Sequence, residues 1–204
     1  MERSDIVGRD FWRWFVDHRS EFDRLGEPNE TFWDIALGEL KKVDERLWFE
    51  LSETDGPVRE FVVTAEGQIE AFPIVVALVS HAPEVEGWTF VALKPPMGFD
   101  FTTRYEGMLF DPSHMWFLPL ESASRPHEFG MRVGVEGLGS MDAAAARGAI
   151  LVVLATALGE RAAALEIQYT EVVELPANPL SLGYVELPEL PAYLAWRKKT
   201  QRVG

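Results

Sequence analysis

The pattern of apolar and polar positions repeats itself along this 204-residue chain. Alternating apolar and polar residues indicate strands, and apolar residues spaced three and four apart indicate helices. The first half predicts a strand, a strand, a helix and a strand, at residues 47–51, 59–65, 69–81 and 88–93. The second half predicts the same order, at residues 114–120, 128–136, 143–158 and 165–173. This recurrence predicts two similar halves that close on one core.

Three elements of this repeat carry signals about their place in the protein. The strand at 88–93 is apolar on both faces, which is typical of a central strand covered on both sides. The helix at 143–158 is apolar nearly all round, so we expect it to be the most buried helix. Pro119 indicates that the strand at 114–120 lies at a sheet edge, because proline cannot donate a backbone hydrogen bond.

A helical hairpin is predicted before the first half. Residues 10–25 carry one continuous apolar stripe, formed by Phe11, Phe15, His18, Phe22 and Leu25. Residues 26–29 break this helix. Thr31, with Asp34 three positions later, resembles a capping box that starts a second helix over residues 31–43.

The hairpin has more large aromatic side chains than a two-helix layer needs to bury one face. The surplus lies at Phe11, Trp12, Trp14, Phe15, Phe32 and Trp33. Any part left uncovered would form an exposed apolar patch, which typically marks an interface. We therefore expect a protein partner, either a second copy in a homodimer or another protein.

These patterns together predict an α+β fold in a single domain. Its consecutive parts are a helical hairpin, a first half, a connector, a second half and a C-terminal extension, at residues 1–45, 46–95, 96–113, 114–175 and 176–204. The connector is the least regular part and is long for a simple link. We therefore expect it to be functional or to form a packed crossover.

The amino-acid composition indicates the class of protein and its cellular compartment. A hydrophobic fraction of 47% and a charged fraction of 25% are typical of a globular protein. The absence of cysteine excludes disulfides, thiolate zinc sites and cysteine nucleophiles. No apolar run is long enough to span a membrane, and no apolar signal core follows the charged N-terminus. We therefore expect a cytoplasmic protein that does not bind membranes.

The net charge of −14 argues against nucleic-acid binding, which depends on neutralising phosphates with Lys and Arg. The charge is uneven, because residues 1–102 hold 21 acidic and 10 basic side chains, whereas residues 103–204 hold 12 and 9. One interpretation is that the acidic surface keeps the protein in solution. The other is that it attracts a basic partner protein.

The connector provides a candidate ligand site. Lys94 and Arg104 are the two basic side chains between Arg59 and Arg125, so an anionic group would find its cations there. Tyr105 would supply an apolar wall, and Trp116 a ring for stacking. The predicted ligand-binding residues are thus Lys94, Arg104, Tyr105 and Trp116. In the alternative interpretation the segment only packs across the sheet, and both cations pair with local acids.

Asp111, His114 and His127 form a candidate metal set with two histidines and one carboxylate. The alternative interpretation is an ordinary turn at Asp111, with His127 in a solvated loop. The glycine-rich segment 134–139 lies between a strand and a helix, where phosphate-binding loops occur. Its spacing does not match a dinucleotide fingerprint, and the acidic residues beside it would repel phosphate. The sequence therefore predicts no cofactor.

Several turn and packing motifs resemble a family of uncharacterised bacterial proteins. They are Arg59-Glu-Phe-Val-Val-Thr-Ala-Glu-Gly67, Glu70-Ala-Phe-Pro73, Ala82-Pro-Glu-Val-Glu-Gly-Trp88 and Ala92-Leu-Lys-Pro95. The aromatic N-terminal helix and the Leu-Pro-rich C-terminal end are similar too. The resemblance implies a bacterial origin but neither an activity nor a functional residue.

The sequence contains no coherent catalytic set, beside a large aromatic surface and an irregular connector. We therefore expect a non-catalytic binding or regulatory protein rather than an enzyme. A second hypothesis is a metal-assisted hydrolase that uses Asp111, His114 and His127. A third is an acidic, immunity-type antagonist of a basic partner protein.

Overall fold

The computed structural model of the chain describes residues 3–24, 30–52, 58–139 and 141–201. Within these ranges lie seven α-helices and sheets of three, two and four strands, so the predicted α+β class is confirmed. The chain divides into two compact units, Met1–Lys94 and Pro95–Gly204, which are described separately below. The boundary falls close to the predicted start of the connector at residue 96.

The N-terminal unit begins with three helices: α1 (Arg3–Asp17), α2 (Arg19–Asp23) and α3 (Glu30–Lys41). The helix predicted over residues 10–25 thus begins earlier and is interrupted at His18. There the His18 backbone N–H donates to the carbonyls of Trp14 and Phe15, at 3.1 and 3.2 Å. The predicted break at residues 26–29, together with Leu25, lies outside the described residues.

A three-stranded sheet follows, formed by β1 (Trp48–Leu51), β2 (Arg59–Thr64) and β3 (Trp88–Ala92), with α4 (Phe72–Ser80) between β2 and β3. β1 is antiparallel to β2, and β2 is parallel to β3. The prediction of a central strand at 88–93 is wrong, because β2 occupies the centre. Apolar residues on both faces do not distinguish a central strand from an end strand that neighbouring segments cover.

Aromatic side chains fill the core of this unit. Phe15, Phe22 and Phe61 are completely buried, and the Phe61 ring stacks on Phe49 at a centroid distance of 4.9 Å. Of the six aromatic residues predicted to be in surplus, four are buried and two are half-buried, namely Phe11, Trp12, Phe15 and Phe32, then Trp14 and Trp33. The expected exposed aromatic patch is therefore absent from these described residues, because the helices and the sheet of one chain cover the rings.

The C-terminal unit begins with a hairpin of two short strands, β4 (Thr103–Tyr105) and β5 (Met108–Phe110). Glu106 and Gly107 form the turn with positive φ angles of 47° and 85°. Two successive residues with positive φ are typical of the tightest hairpin turns. The connector predicted to be irregular therefore contains regular structure, and a 3₁₀ turn at Pro112–His114 follows the hairpin.

A four-stranded sheet forms the centre of this unit, with the order β8, β7, β6, β9. The strands span Trp116–Leu120 (β6), Gly130–Val135 (β7), Tyr169–Glu174 (β8) and Val185–Glu186 (β9). β6 is antiparallel to β7 and β9, and β7 is parallel to β8. The prediction that β6 lies at a sheet edge is wrong, because β9 follows it in the sheet. β9 pairs only with Trp116 and Phe117, so Pro119 lies on the part of β6 that β9 leaves uncovered.

Two helices connect β7 to β8. The first, α5 (Ala143–Leu158), spans the predicted residues, and the Asp142 carboxylate caps it by accepting from Ala144 and Ala145 N–H. The second, α6 (Glu160–Glu166), occupies the start of the strand predicted over 165–173, so that prediction is wrong before Tyr169. We expected α5 to be the most buried helix; it buries Ala146, Ala149, Ile150, Val153, Leu154 and Ala157, whereas Leu151 and Val152 are exposed.

The last helix, α7 (Leu190–Gln201), follows a short 3₁₀ turn at Leu187–Glu189. Leu187, Leu190 and Leu194 are buried in a core shared with side chains of β6, β7 and α5. The Leu187 N–H donates to the Met115 carbonyl at 2.8 Å, which fixes where α7 begins relative to β6. The helix thereby places its next face, which carries Tyr193 and Trp196, beside the ends of β6 and β7.

The helices of the described residues are short relative to the thickness of a bilayer. No single helix among them is long and apolar enough to cross a bilayer. α5 and α6 reach that length only as a pair, and they are bent by 118° at the break between them.

Candidate functional site

A cleft of about 610 Å³ opens in the C-terminal unit, beside α7. Pro119 and Leu120 at the end of β6 form one side, and residues 121–128 form its rim. Phe129 lies at the start of the next strand, and α7 supplies the opposite wall. Three segments that are distant in sequence therefore meet around one space.

The wall from α7 is aromatic. Tyr193 and Trp196 are three residues apart, so they are neighbours on the helix surface, and their ring centroids lie 5.5 Å apart. The Tyr193 ring also lies 5.5 Å from Phe129, which is buried at 2% exposure. Trp196, at 58% exposure, lies at the edge of this group. The cleft thus has a buried aromatic base and an exposed indole.

Arg197 connects α7 to the loop before β7. Its guanidinium donates to the backbone carbonyls of Glu128, Pro126 and His127 at 2.8, 3.2 and 3.4 Å. The guanidinium carbon also lies 5.5 Å from the centroid of the Phe129 ring, within the range of a cation–π contact. Arg197 therefore holds two walls of the cleft at a fixed separation.

Tyr193 is the ionisable group of the cleft whose titration is shifted. Burial raises the pKa of Tyr193, the positive charge of Arg197 opposes this change, and the negative charge of Glu121 reinforces it. Because the neutral form is favoured, the hydroxyl stays protonated well above neutral pH. Tyr193 therefore offers a hydrogen-bond donor, and not a base, at physiological pH.

The rim carries two carboxylates, Glu121 and Glu128. Glu128 pairs with Arg125 at 3.0 Å, and its backbone N–H donates to the Arg125 carbonyl at 3.1 Å. Arg125 N–H in turn donates to the Ser122 carbonyl at 3.2 Å. The rim is therefore a sequence of tight turns, with Glu121 at its start.

The predicted ligand cations have local partners. Lys94, in the N-terminal unit, forms an ion pair with Glu50. Arg104, in the C-terminal unit, donates to the Gly107 carbonyl of its own hairpin at 3.0 Å. Neither residue lines the cleft beside α7. The anion site around Lys94 and Arg104 stays a prediction.

The two predicted aromatic ligand residues have packing contacts. Tyr105 lies against α5, where a Cβ atom at Gly148 would stand 2.6 Å from the Tyr105 hydroxyl oxygen. Trp116 is half-buried in β6, opposite Gly134 of β7 and Glu186 of β9. Neither lines the cleft, so the structure brings none of the four predicted ligand residues to this site.

The candidate metal set is only partly assembled. His114 Nδ1 lies 3.2 Å from an Asp111 carboxylate oxygen. Hydrogen bonds from Ser113, through its hydroxyl at 2.6 Å and its N–H at 2.9 Å, lower the pKa of Asp111, and His114 adds to this effect. His127 belongs to the rim loop, where its carbonyl accepts from Arg197. Within the described ranges, no three His, Asp or Glu side chains form a group that could hold a metal ion.

The glycine-rich segment after β7 is bound by a carboxylate. Gly137, at a φ of 72°, donates its N–H to the Glu174 side chain at 2.7 Å. A phosphate would need that N–H, so the local structure agrees with the sequence argument against a phosphate loop. Position 140 lies outside the described residues.

Comparison with known proteins adds no relative, since no family model, curated protein or solved structure matches this chain. The resemblance to bacterial proteins therefore stays a hypothesis. The geometry of the cleft is therefore the basis for a function.

Sequence reasoning missed the residues that define this cleft, Glu121, Phe129, Tyr193, Trp196 and Arg197. A usable signal was present in the C-terminal helix. Leu190 and Leu194 are four apart and predict its buried stripe, whereas Trp196 lies outside that stripe. A tryptophan off the buried stripe of a short helix indicates a surface with a binding role.

Proposed function

We propose that this protein is a non-catalytic binding protein, and that the cleft beside α7 receives an apolar or aromatic group of its ligand. The observation that carries the proposal is the exposure of Trp196, at 58%, in a cleft whose lining also includes the buried Phe129 ring. Large aromatic side chains that keep one face in water commonly contribute most to binding at interfaces. A ligand ring placed there would cover the indole and rest against Tyr193.

The size of the cleft supports a small ligand or a single side chain of a larger partner. Pockets that hold small molecules usually have volumes of about 300–1,000 Å³, and this one has about 610 Å³. Its lining combines aromatic rings with a few polar groups, which is the usual composition of such pockets.

The chemistry of the lining favours binding over catalysis. A general acid or base works best with a pKa near the operating pH, whereas the pKa of Tyr193 is shifted upward, away from neutrality. The hydrolase hypothesis has only Asp111 and His114 in contact. The immunity-type hypothesis is supported by the net charge of −14 and by no particular surface.

We also infer that the chain arose by internal duplication. The three-stranded and four-stranded sheets each contain an antiparallel pair, a helical crossover and a parallel third strand. This shared order supports two duplicated halves, preceded by the helical hairpin. We further infer a cytoplasmic bacterial protein. A homodimer would use surfaces other than Phe11, Trp12, Phe15 and Phe32, since these four aromatic residues are buried within one chain.

The test uses the seven tryptophans as reporters. Protein labelled with 5-fluorotryptophan is titrated with 2-phenylethanol, a neutral aromatic probe, and followed by fluorine NMR. The Trp196 resonance, identified by its loss in Trp196→Ala, should shift in a saturable manner. Leu180→Ala, at a residue that is 75% exposed and does not line the cleft, should leave the response intact. An unchanged Trp196 resonance would contradict the proposal.

A further inference from the structure

We propose that the ligand group received by this cleft is an organic ammonium ion, with its apolar body against Tyr193 and Trp196 and its positive charge at Glu121. This inference rests on the proposed binding function and deepens it by naming the ligand class.

The first step concerns the carboxylates of the lining. Glu128 already has a cationic partner in Arg125, at 3.0 Å. Glu121, among the described residues, forms neither an ion pair nor a side-chain hydrogen bond, and it faces the cleft. Its charge acts on Tyr193, which locates the carboxylate near the aromatic wall. A ligand cation would therefore be the first positive partner of Glu121.

The second step concerns Arg197, the cation of the same lining. Its guanidinium hydrogens are directed to three backbone carbonyls, and its face lies towards the Phe129 ring. An anionic ligand would have to displace these carbonyls to obtain a bidentate contact with Arg197. The guanidinium is thus a structural group that connects two walls of the cleft.

The third step concerns the exposed indole and the charge of the second half of the chain. The face of a tryptophan ring attracts cations more strongly than any other aromatic side chain does. Residues 103–204 hold 12 acidic and 9 basic side chains, so the charge of this half adds a weak long-range attraction for a cation over an anion. The ring, the carboxylate and the charge of this half therefore favour the same sign of charge.

The experiment compares three probes that share a phenyl ring and differ in charge: 2-phenylethylamine, 2-phenylethanol and phenylacetate. Fluorine NMR of the labelled protein at pH 7.5 and low salt gives the Kd of each. We expect the ammonium to bind about three- to tenfold more tightly than the alcohol, because an exposed ion pair and a cation–π contact each contribute modestly. Phenylacetate should bind more weakly than the alcohol.

A matched pair of variants isolates the carboxylate. Glu121→Gln should reduce the preference for the ammonium over the alcohol to the part that the cation–π contact with Trp196 supplies, while keeping the affinity for the alcohol. Glu136→Gln changes the net charge equally, at an exposed residue of the same unit outside the cleft, and should keep the preference. If all three probes bind equally, or if Glu136→Gln has the same effect as Glu121→Gln, the ammonium inference fails alone. If none of the probes binds, the proposed binding function fails with it.

Discussion

The two units of this protein use the same kind of side chain for opposite purposes. In the N-terminal unit the rings close on one another, and the indole N–H groups of Trp12 and Trp88 are bound by the Leu78 carbonyl and by Asp23. In the C-terminal unit the ring series ends at Trp196, which stays exposed. The difference teaches that a count of aromatic residues does not locate a site. What matters is whether a further element covers the last ring of the series.

The most severe test of this comparison is the loss of one ring from each unit. Phe61→Ala removes a completely buried ring at the centre of the three-stranded sheet and should lower the free energy of unfolding by about 3–5 kcal/mol. Trp196→Ala should lower it by less than about 1 kcal/mol, because the ring is already largely in water. Urea denaturation measures both. Equal losses would mean that the two aromatic groups do not differ.

The next largest effect concerns the separation of the cleft walls. Arg197→Ala removes a charged donor from three backbone carbonyls, and we expect a loss of about 1–2 kcal/mol. Urea denaturation gives the stability, and broadening of the fluorine resonance of Trp196 would report looser walls. Lys199→Ala, at an exposed neighbour on the same helix, is the control and should change neither quantity.

The two units also differ in how tightly a glycine within a helix is packed, at Gly38 in α3 and at Gly148 in α5. Gly38 in α3 has open space around the position of a Cβ atom, so Gly38→Ala should stabilise the protein by about 0.5–1 kcal/mol. At Gly148 in α5 the same atom would stand 2.6 Å from the Tyr105 hydroxyl. Gly148→Ala should therefore destabilise by about 1 kcal/mol despite the better helix former. Thermal unfolding of both variants shows the opposite signs, and a stabilising Gly148→Ala would contradict the hairpin contact.

The smallest effect is a dependence on pH. The folded state raises the pKa of Tyr193 above its ordinary value of 10.0, chiefly through burial. This contribution to stability is complete below pH 10 and is lost as the pH rises through the higher, folded-state value. Absorbance of tyrosinate at 295 nm, in the wild type and in Tyr193→Phe, should therefore differ only above pH 10. A difference that develops below pH 10 would contradict the burial of this hydroxyl.

Much of the fold was predictable because its signals are local. The nearly continuous apolar run of α5 predicted that helix with its observed bounds, Ala143–Leu158. The alternation at residues 165–170 was misleading, since α6 uses its first two positions. The β4–β5 hairpin was missed because its Glu106–Gly107 turn lacks the Asn-Gly or Asp-Gly pair that signals such turns. Strand order was not predictable either, because it depends on which segments pair across the sheet.

The candidate site was less predictable, because distant segments form it. Lys94 and Arg104 were predicted to bind a ligand because cations are rare in that part of the chain, and the structure gives both of them local partners. Glu121 and Trp196 are 75 positions apart by their numbering, and nothing in the sequence connects them. The ring that defines the cleft was visible only as a residue outside a buried stripe. The sequence shows which residue types are present, but it does not show which of them lie close together around the cleft.

The hydrogen bonds of Arg197 have a consequence for the order in which the walls of the cleft are assembled during synthesis. They join α7 to carbonyls about 70 residues earlier in the chain, and the other cleft-lining residues of the rim and β6 precede α7 as well. A ribosome releases the sheet strands before it releases this helix. Synthesis therefore completes β6, β7 and β8 before it completes the helix that supplies the aromatic wall. The cleft, and with it the binding function proposed above, exists only once α7 has joined the sheet.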